Sequence, residues 1–386
     1  MIAGALAIAS LAIWLYLLTA RGSFWKMRHE QLEAQKEDIP ARTVAAVVPA
    51  RNEAEVVGRV VISLLTQEFA GRLHVFLVDD DSTDNTAGAA LRAAEGIGAA
   101  ARLTVVRARP LPPGWMGKIW AQAEGLRAAE TFRADYVLLT DADIVHDPCV
   151  VSELMARVET GGYDLVSLMA RLSCATGAER LLIPAFVFFF FMLYPPAWVA
   201  RRDKRTAAAA GGCMLLRRDA LERIGGMAAI RSELIDDCAL ARAVKQGGGI
   251  WLGPGEQTAS LRSYSGWREI GEMISRAAFR QLRHSALLLA ATLVAMTVTF
   301  LAPPLLVALG GWPALLGAGA WLLMSLAYWP TLRYYRCSPL WALLLPGIAV
   351  FYMGATIYSA VQYWRGAGGL WKGRTQDAPA RPANET

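Results

Sequence analysis

The chain begins with an uncharged apolar run, Ile2 to Leu18, and closes with three more at about 286–309, 312–331 and 341–361. Each is near the ~20 residues that a helix needs to cross a bilayer, where only a regular helix or a closed barrel satisfies the backbone. Any fold must keep these runs helical and leave the rest of the chain to water. The 55% hydrophobic content and the mean hydropathy of +0.32 come largely from the two ends. We therefore expect a membrane protein with a water-soluble middle.

Charge gives the orientation. Arg21, Lys26 and Arg28 follow the first run, as in an uncleaved anchor; a cleavable signal peptide carries its positive charges first. The positive-inside rule then puts the middle in the cytoplasm. Pro303-Pro304, Gly310-Gly311 and Pro346-Gly347 interrupt or separate the later runs. Three full spans would leave the tail outside, whereas Arg365, Lys372 and Arg374 favour the inside, so a re-entrant or interfacial hairpin at one run stays open. The expected layout is an anchor at 1–20, a cytoplasmic domain at 43–283, a transmembrane region at 284–364 and a polar tail at 365–386. The five cysteines are odd in number and form no CxxC pair, which fits a reduced compartment and argues against a cysteine-held metal. A net charge of +6 fits arginines beside anionic lipid, and no nucleic-acid-binding motif is present.

In the middle, apolar runs at 43–48, 73–78, 102–106 and 136–140 alternate with helical patterns near 54–66, 84–95 and 118–130. This alternation predicts an α/β domain with a mostly parallel sheet, each strand buried on both faces. Asp147-Pro148 predicts a helix start, and another apolar run follows from Asp164 to Met169. Neither GxxxxGK[ST] nor a strand-linked GxGxxG occurs, and Gly247-Gly248-Gly249 reads as the end of a helix.

Three acidic sites stand at apolar or helix boundaries: Asp79-Asp80-Asp81 with Asp84, Asp141-Ala142-Asp143, and Asp236-Asp237. Helix capping is the ordinary use of such acids; it is expected for Asp84 and open for Asp236. Side chains two apart on an extended chain point the same way, so Asp141 and Asp143 can jointly face one hard cation at the carboxyl edge of a strand. Transfer from a nucleoside-diphosphate sugar needs three such sites. One acid holds the nucleoside, a pair binds a cation at the diphosphate, and one takes the proton of the attacking hydroxyl.

Val47-Val48-Pro49-Ala50-Arg51-Asn52-Glu53, the Val78–Thr86 stretch, Asp141-Ala142-Asp143 and Asp236-Asp237 occur in the order found in family 2 glycosyltransferases, and residues 43–283 resemble them. The resemblance implies a GT-A-type nucleotide-diphospho-sugar transferase fold and an inverting reaction. It places Pro49, Glu53, Asp79 and Asp80 on the nucleoside side. It gives Asp141 and Asp143 to a divalent cation, Mg²⁺ or Mn²⁺, and to the diphosphate, with Asp143 the more direct ligand. Asp237 would be the general base, with Asp236 beside it. Gly211-Gly212 resembles the acceptor-side glycine motif, and Lys118 stands where many members carry a base near the donor.

Pro112-Pro113-Gly114-Trp115, the stretch Leu182 to Phe190, Thr206 to Met214 and Ile235 to Arg242 look like the hopene-associated glycosyltransferases of hopanoid-producing bacteria. That likeness implies an inner-membrane, multi-pass enzyme that takes a nucleoside-diphosphate sugar, a UDP-sugar in the expected case. Its acceptor would be a lipid, either a hopanoid or a polyprenyl phosphate. The sequence departs from processive members: where QxxRW is expected it reads Met273-Ile274-Ser275-Arg276-Ala277, which argues against chain elongation. Arg276 and Arg280 could meet the diphosphate or lipid headgroups. Residues 181–199, followed by Arg201, Arg202, Lys204 and Arg205, read as part of an interfacial segment (181–205); a buried core helix is the alternative. Two other readings compete. Asp79–Thr83 satisfies the DxDx[TV] pattern of haloacid-dehalogenase-type phosphatases, and a non-enzymatic membrane scaffold would leave the acids idle.

Overall fold

A computed structural model describes residues 1–27 and 41–366, together with the paired two-residue strands Leu370–Trp371 and Arg374–Thr375. Arg28, Lys372 and most of the expected polar tail lie outside the described residues. The chain divides into two compact units. One comprises Arg28–Ser173 and Pro196–Ser263; the other comprises Met1–Met27, Cys174–Pro195 and Tyr264–Thr386.

The first unit is built on an eight-stranded sheet: β1 (Thr43–Ala50), β2 (Arg72–Asp79), β3 (Leu103–Arg107), β4 (Tyr136–Thr140), β5 (Ile144–His146), β6 (Leu165–Arg171), β7 (Cys213–Arg217) and β8 (Ile250–Ser260). Their order across the sheet is β3-β2-β1-β4-β7-β6-β8-β5. β1 pairs in parallel with β2 and β4, and β2 with β3. β7 then runs against both β4 and β6, and β5 against β8, while β6 and β8 are parallel. The sheet is therefore mixed, where a mostly parallel one was expected. Unbroken apolar runs reveal strands covered on both faces but carry no sign of direction, so the reversal at β7 was not legible.

Helices cover the sheet. Helix Val57–Leu65 buries Val57, Val60, Val61, Leu64 and Leu65, the i, i+3, i+4 spacing of one face. Each such side chain adds roughly 1.5–3 kcal/mol by leaving water. Helix Gly117–Ala128 approaches more closely: a Cβ at Gly125 would stand 2.5 Å from Val47 Cγ1 and 2.8 Å from Val78 Cγ2. Helix Val150–Gly161 starts after Cys149, later than the expected start at Asp147-Pro148. Asp147 and Pro148 spend their backbone groups on Gln257 and Glu68 instead. Helix Asp236–Lys245 does end before Gly247-Gly248-Gly249, but without a left-handed glycine. Gly248 is held by close approach, since a Cβ there would overlap Asp164.

The second unit is helical. Among the described residues, five helices are long and apolar enough to cross a membrane: Ile2–Thr19, Gly177–Val199, Ala286–Leu309, Gly311–Tyr334 and Pro339–Trp364. Helix Gly177–Leu193 opens with a capping box in which Thr176 accepts the N–H of Glu179, and Glu179 Oε2 accepts those of Ala175 and Thr176. Glu179 Oε1 also accepts the N–H of Tyr264 at 2.7 Å. Phe188, Phe189 and Phe191 are buried, and Phe188 packs edge-on against Tyr328.

Candidate active site

β4 is buried along its whole length, so Asp141 is the first residue that can hold charge as the chain leaves the strand. Asp141, Ala142 and Asp143 form the turn into β5, closed by the N–H of Ile144 on the carbonyl of Asp141. Lys118, the second residue of helix Gly117–Ala128, extends Nζ to 2.7 Å from Asp141 Oδ1 and 3.4 Å from Asp236 Oδ2. Asp236 and Asp237 occupy the first turn of helix Asp236–Lys245, where the helix dipole favours negative charge. Asp236 is thus a helical residue and not the N-cap, a place held by Ile235. Asp84, expected to cap, precedes its helix by two residues and accepts the N–H groups of Thr86 and Ala54. These bonds and the Thr86 hydroxyl hold its carboxyl below the usual range, although burial opposes them.

Asp237 is held by two backbone donors. Its Oδ2 accepts the N–H of Gly211 at 2.9 Å and its Oδ1 that of Cys238 at 2.6 Å. Burial, and then the charge of Asp236, push its carboxyl up to about 6, against the opposing pull of Lys118 and the two N–H groups. Burial also raises Asp141; Lys118 opposes this and Asp143 adds to it. Burial alone would lower Lys118, but the carboxylates of Asp141, Asp236 and Asp237 outweigh it and keep the ammonium charged. Gly211 fits because a Cβ there would sit 3.2 Å from Lys118 Nζ and 3.5 Å from Asp237 Oδ2. A Cβ on Gly212 would come 3.2 Å from Ile144 Cγ1.

A second cation enters from β8. Arg262 places Nε 3.2 Å from Asp143 Oδ2 and Nη2 3.2 Å from Glu53 Oε1. Next to it, Leu261 N–H donates to the carbonyl of Asp143 at 2.7 Å. Arg262 belongs to no recognised spacing, and an arginine just past an apolar strand is not distinctive, so the sequence did not mark it.

The loops after β1 and β2 are laced together. Asn52 N–H donates to Ser82 Oγ, Asn52 Oδ1 accepts Thr83 N–H, and Glu53 N–H donates to Thr86 Oγ1. Asn52 and Asp81 are left-handed, with φ of 54° and 57°, a conformation that Asn and Asp tolerate better than most residues. Asp79 Oδ1 accepts Ser82 N–H; Asp80 is buried with Oδ2 3.8 Å from Arg51 Nη1. Pro49 lies within β1 opposite Val78. Asp141, Asp143, Asp236, Asp237, Lys118 and Gly211 therefore meet, and Glu53 joins them through Arg262. Arg276 and Arg280 lie on helix Trp267–Gln281 of the other unit.

Among the described residues no group of three or more His, Cys, Asp or Glu forms a metal cage. The hard donors at the turn are the two carboxylates, each now faced by a basic side chain. That donor set suits an ion that takes one or two protein oxygens and the rest from a diphosphate and water.

The family profile described as Glycosyltransferase like family 2 matches residues 40–283. The chain belongs to this family. The family 2 domain contains all the acids gathered above. Among solved structures, the chain is similar to the mannosyltransferase PcManGT of Pyrobaculum calidifontis, determined with GDP-mannose and Mn²⁺. That likeness covers 92% of this chain and 98% of the other, at 20% identity and a TM-score of 0.57. With the mixed sheet, it shows a GT-A-like fold. Weaker likenesses are to TarS of S. aureus (16% identity, 61% and 40% covered, TM-score 0.41) and to glucosyl-3-phosphoglycerate synthase of Mycobacterium tuberculosis with Mn²⁺, UDP and glucosyl-3-phosphoglycerate (23%, 60% and 76%, 0.38). No curated protein matches the sequence.

Proposed function

We propose that the chain is a membrane-bound inverting glycosyltransferase that moves a sugar from a nucleoside-diphosphate sugar to a lipid hydroxyl. The observation that carries this reading is the convergence of Asp237, half-buried and held by Gly211, with Asp141 and Asp236 around the single ammonium of Lys118. Residues far apart in the chain have been brought together at some cost in buried charge, as happens where chemistry needs them.

Asp237 serves as the general base. A carboxylate near 6 is still mostly ionised at neutral pH yet binds a proton more strongly than a free aspartate. The acceptor oxygen bonds to the anomeric carbon as the bond from that carbon to the diphosphate oxygen breaks. The proton passes to Asp237 and the electron pair leaves with the nucleoside diphosphate. Asp143 and Asp141 would hold a divalent cation, Mg²⁺ or Mn²⁺. When bound, such an ion neutralises charge that grows on the leaving group. Lys118 and Arg262, now resting on those carboxylates, offer cationic contacts to the same phosphates. Glu53, with Asp79, Asp80 and Pro49, lines the nucleoside side. The GDP-mannose and Mn²⁺ of the P. calidifontis structure, whose fold is shared, support a donor of this class.

The five apolar helices support a membrane location; the basic residues after the first run favour a cytoplasmic face for 43–283, and Arg201, Arg202, Lys204 and Arg205 favour an interfacial 181–205. The motifs shared with hopene-associated enzymes favour a hopanoid acceptor, with polyprenyl phosphate as the second reading. Lipid profiling of a deletion strain tests the acceptor: a missing glycolipid restored by wild type but not by Asp237→Asn is the expected result. An unchanged lipid profile would overturn the lipid-acceptor reading.

A further inference from the structure

Thr140, the last residue of β4, is almost fully buried and stands directly before Asp141. Its hydroxyl lies 2.8 Å from the carbonyl of Gly212 and 2.9 Å from Nε2 of His146, the last residue of β5. A carbonyl can only accept, so the threonine proton goes to Gly212. His146 must then donate through Nε2–H, which fixes its tautomer. Nδ1 of His146 is buried without a hydrogen-bond partner, as suits a neutral ring whose bare nitrogen is turned into apolar surroundings. Burial pushes the imidazole down to about 4, in keeping with that neutral state.

Donors thus run in one direction, from His146 through Thr140 to Gly212. They link the residue before the Asp141–Asp143 turn to the strand after it, and then reach the entry of β7, whose Gly211 holds the base. Gly211, one peptide away, donates its N–H to Asp237. Backbone pairing of Thr140 with Cys213 sets the same two segments side by side, but it fixes only the ladder. The side-chain bond fixes the orientation of the Gly212 carbonyl beside it.

Resting on the glycosyl-transfer reading above, we propose that Thr140 and His146 are positioning residues that hold the Asp141–Asp143 turn and the Gly211–Asp237 contact in register. Neither touches substrate. They act through the turn and the glycine pair, where a misplacement of about 1 Å costs on the order of 100-fold in rate.

The experiment uses the full chain in detergent with native lipid extract. Nucleoside diphosphate release is followed from UDP-glucose and GDP-mannose, each with Mn²⁺. Thr140→Val keeps the shape and removes the hydroxyl; Thr140→Ser keeps the hydroxyl. His146→Gln can return an N–H near the position of Nε2, and His146→Leu cannot. The expected result is a loss in kcat of at least tenfold for Thr140→Val and His146→Leu with donor KM within twofold. Thr140→Ser and His146→Gln should recover most of the rate, and Thr140→Val/His146→Leu should be no slower than either single variant. Wild-type-like kcat in Thr140→Val, a serine variant as slow as the valine one, or losses that multiply in the double variant would each overturn the inference while leaving glycosyl transfer intact. Should the leucine variants fail to fold, the serine–valine comparison decides alone. A wild-type protein that releases no nucleoside diphosphate from either donor would overturn both readings.

Discussion

Gly211 donates its backbone N–H to Oδ2 of Asp237 across 2.9 Å, joining the segment before β7 to the first turn of a helix that begins 25 residues later, at Asp236. The bond holds Asp237 half-buried beside Asp236; burial, and then the charge of Asp236, raise its proton affinity. The first prediction concerns that affinity. With a base near 6, turnover should fall about tenfold per pH unit below 6 and level off above 7. Asp237→Asn should lose on the order of 10²–10⁴-fold in turnover while retaining donor binding, checked by calorimetry with the nucleoside diphosphate.

The same carboxyl makes a separate statement about stability. Its folded-state value is raised from 3.8 to about 6, so the folded protein holds the proton more tightly than the unfolded chain. Its contribution to stability is therefore fully present below about pH 4 and is lost as pH rises to about 6. Denaturant melts of wild type and Asp237→Asn should diverge over that window, with the variant showing the flatter dependence.

Lys118 is the shared counter-charge of Asp141 and Asp236. Lys118→Met should destabilise the protein at neutral pH by about 1–2 kcal/mol, because it leaves two half-buried carboxylates, Asp141 and Asp236, without their counter-charge. Chemical denaturation at neutral pH checks this.

Asp143 is the residue that should report the cation. Mn²⁺ with UDP should raise the Tm of wild type and leave that of Asp143→Asn unchanged, since a ligand stabilises only the state that binds it. Arg262→Gln should raise donor KM about tenfold, because Glu53 and Asp143 lose the guanidinium between them.

Gly125→Ala sets two effects against each other. Alanine favours a helix by up to ~1 kcal/mol. Its Cβ would stand 2.5 Å from Val47 Cγ1, inside the sheet core, and overpacking of that kind costs about 1–3 kcal/mol. Overpacking should win, and the helix that carries Lys118 should shift. A lower denaturation midpoint together with reduced turnover is the expected outcome.

Much of the fold was legible because burial leaves a mark in sequence. Runs such as Val44–Val48 and Tyr136–Thr140 suit strands covered on both faces, and that is what they form. The acids stood out because they follow apolar strands or open a helix, and the structure brings Asp141, Asp236 and Asp237 together around Lys118. Direction was not legible at β7, where Cys213–Arg217 looks the same read either way. Nor was Arg262, whose meaning comes from Glu53, 209 residues distant in the chain. The helix after Pro148 began late because the Asp147 N–H donates to Gln257 of β8 and the Pro148 carbonyl accepts the N–H of Glu68, a tertiary demand that overrides local capping preference.

Glu179 accepts N–H groups from Ala175 and Thr176 with one oxygen and from Tyr264 with the other. Two points where the polypeptide enters the helical unit are thus fastened to one buried carboxylate. Cutting the chain after Ser263 would leave that carboxylate one donor short. Such a truncation therefore calls for Glu179→Gln or an apolar replacement along with the cut, because the knot belongs to both ends of the rope.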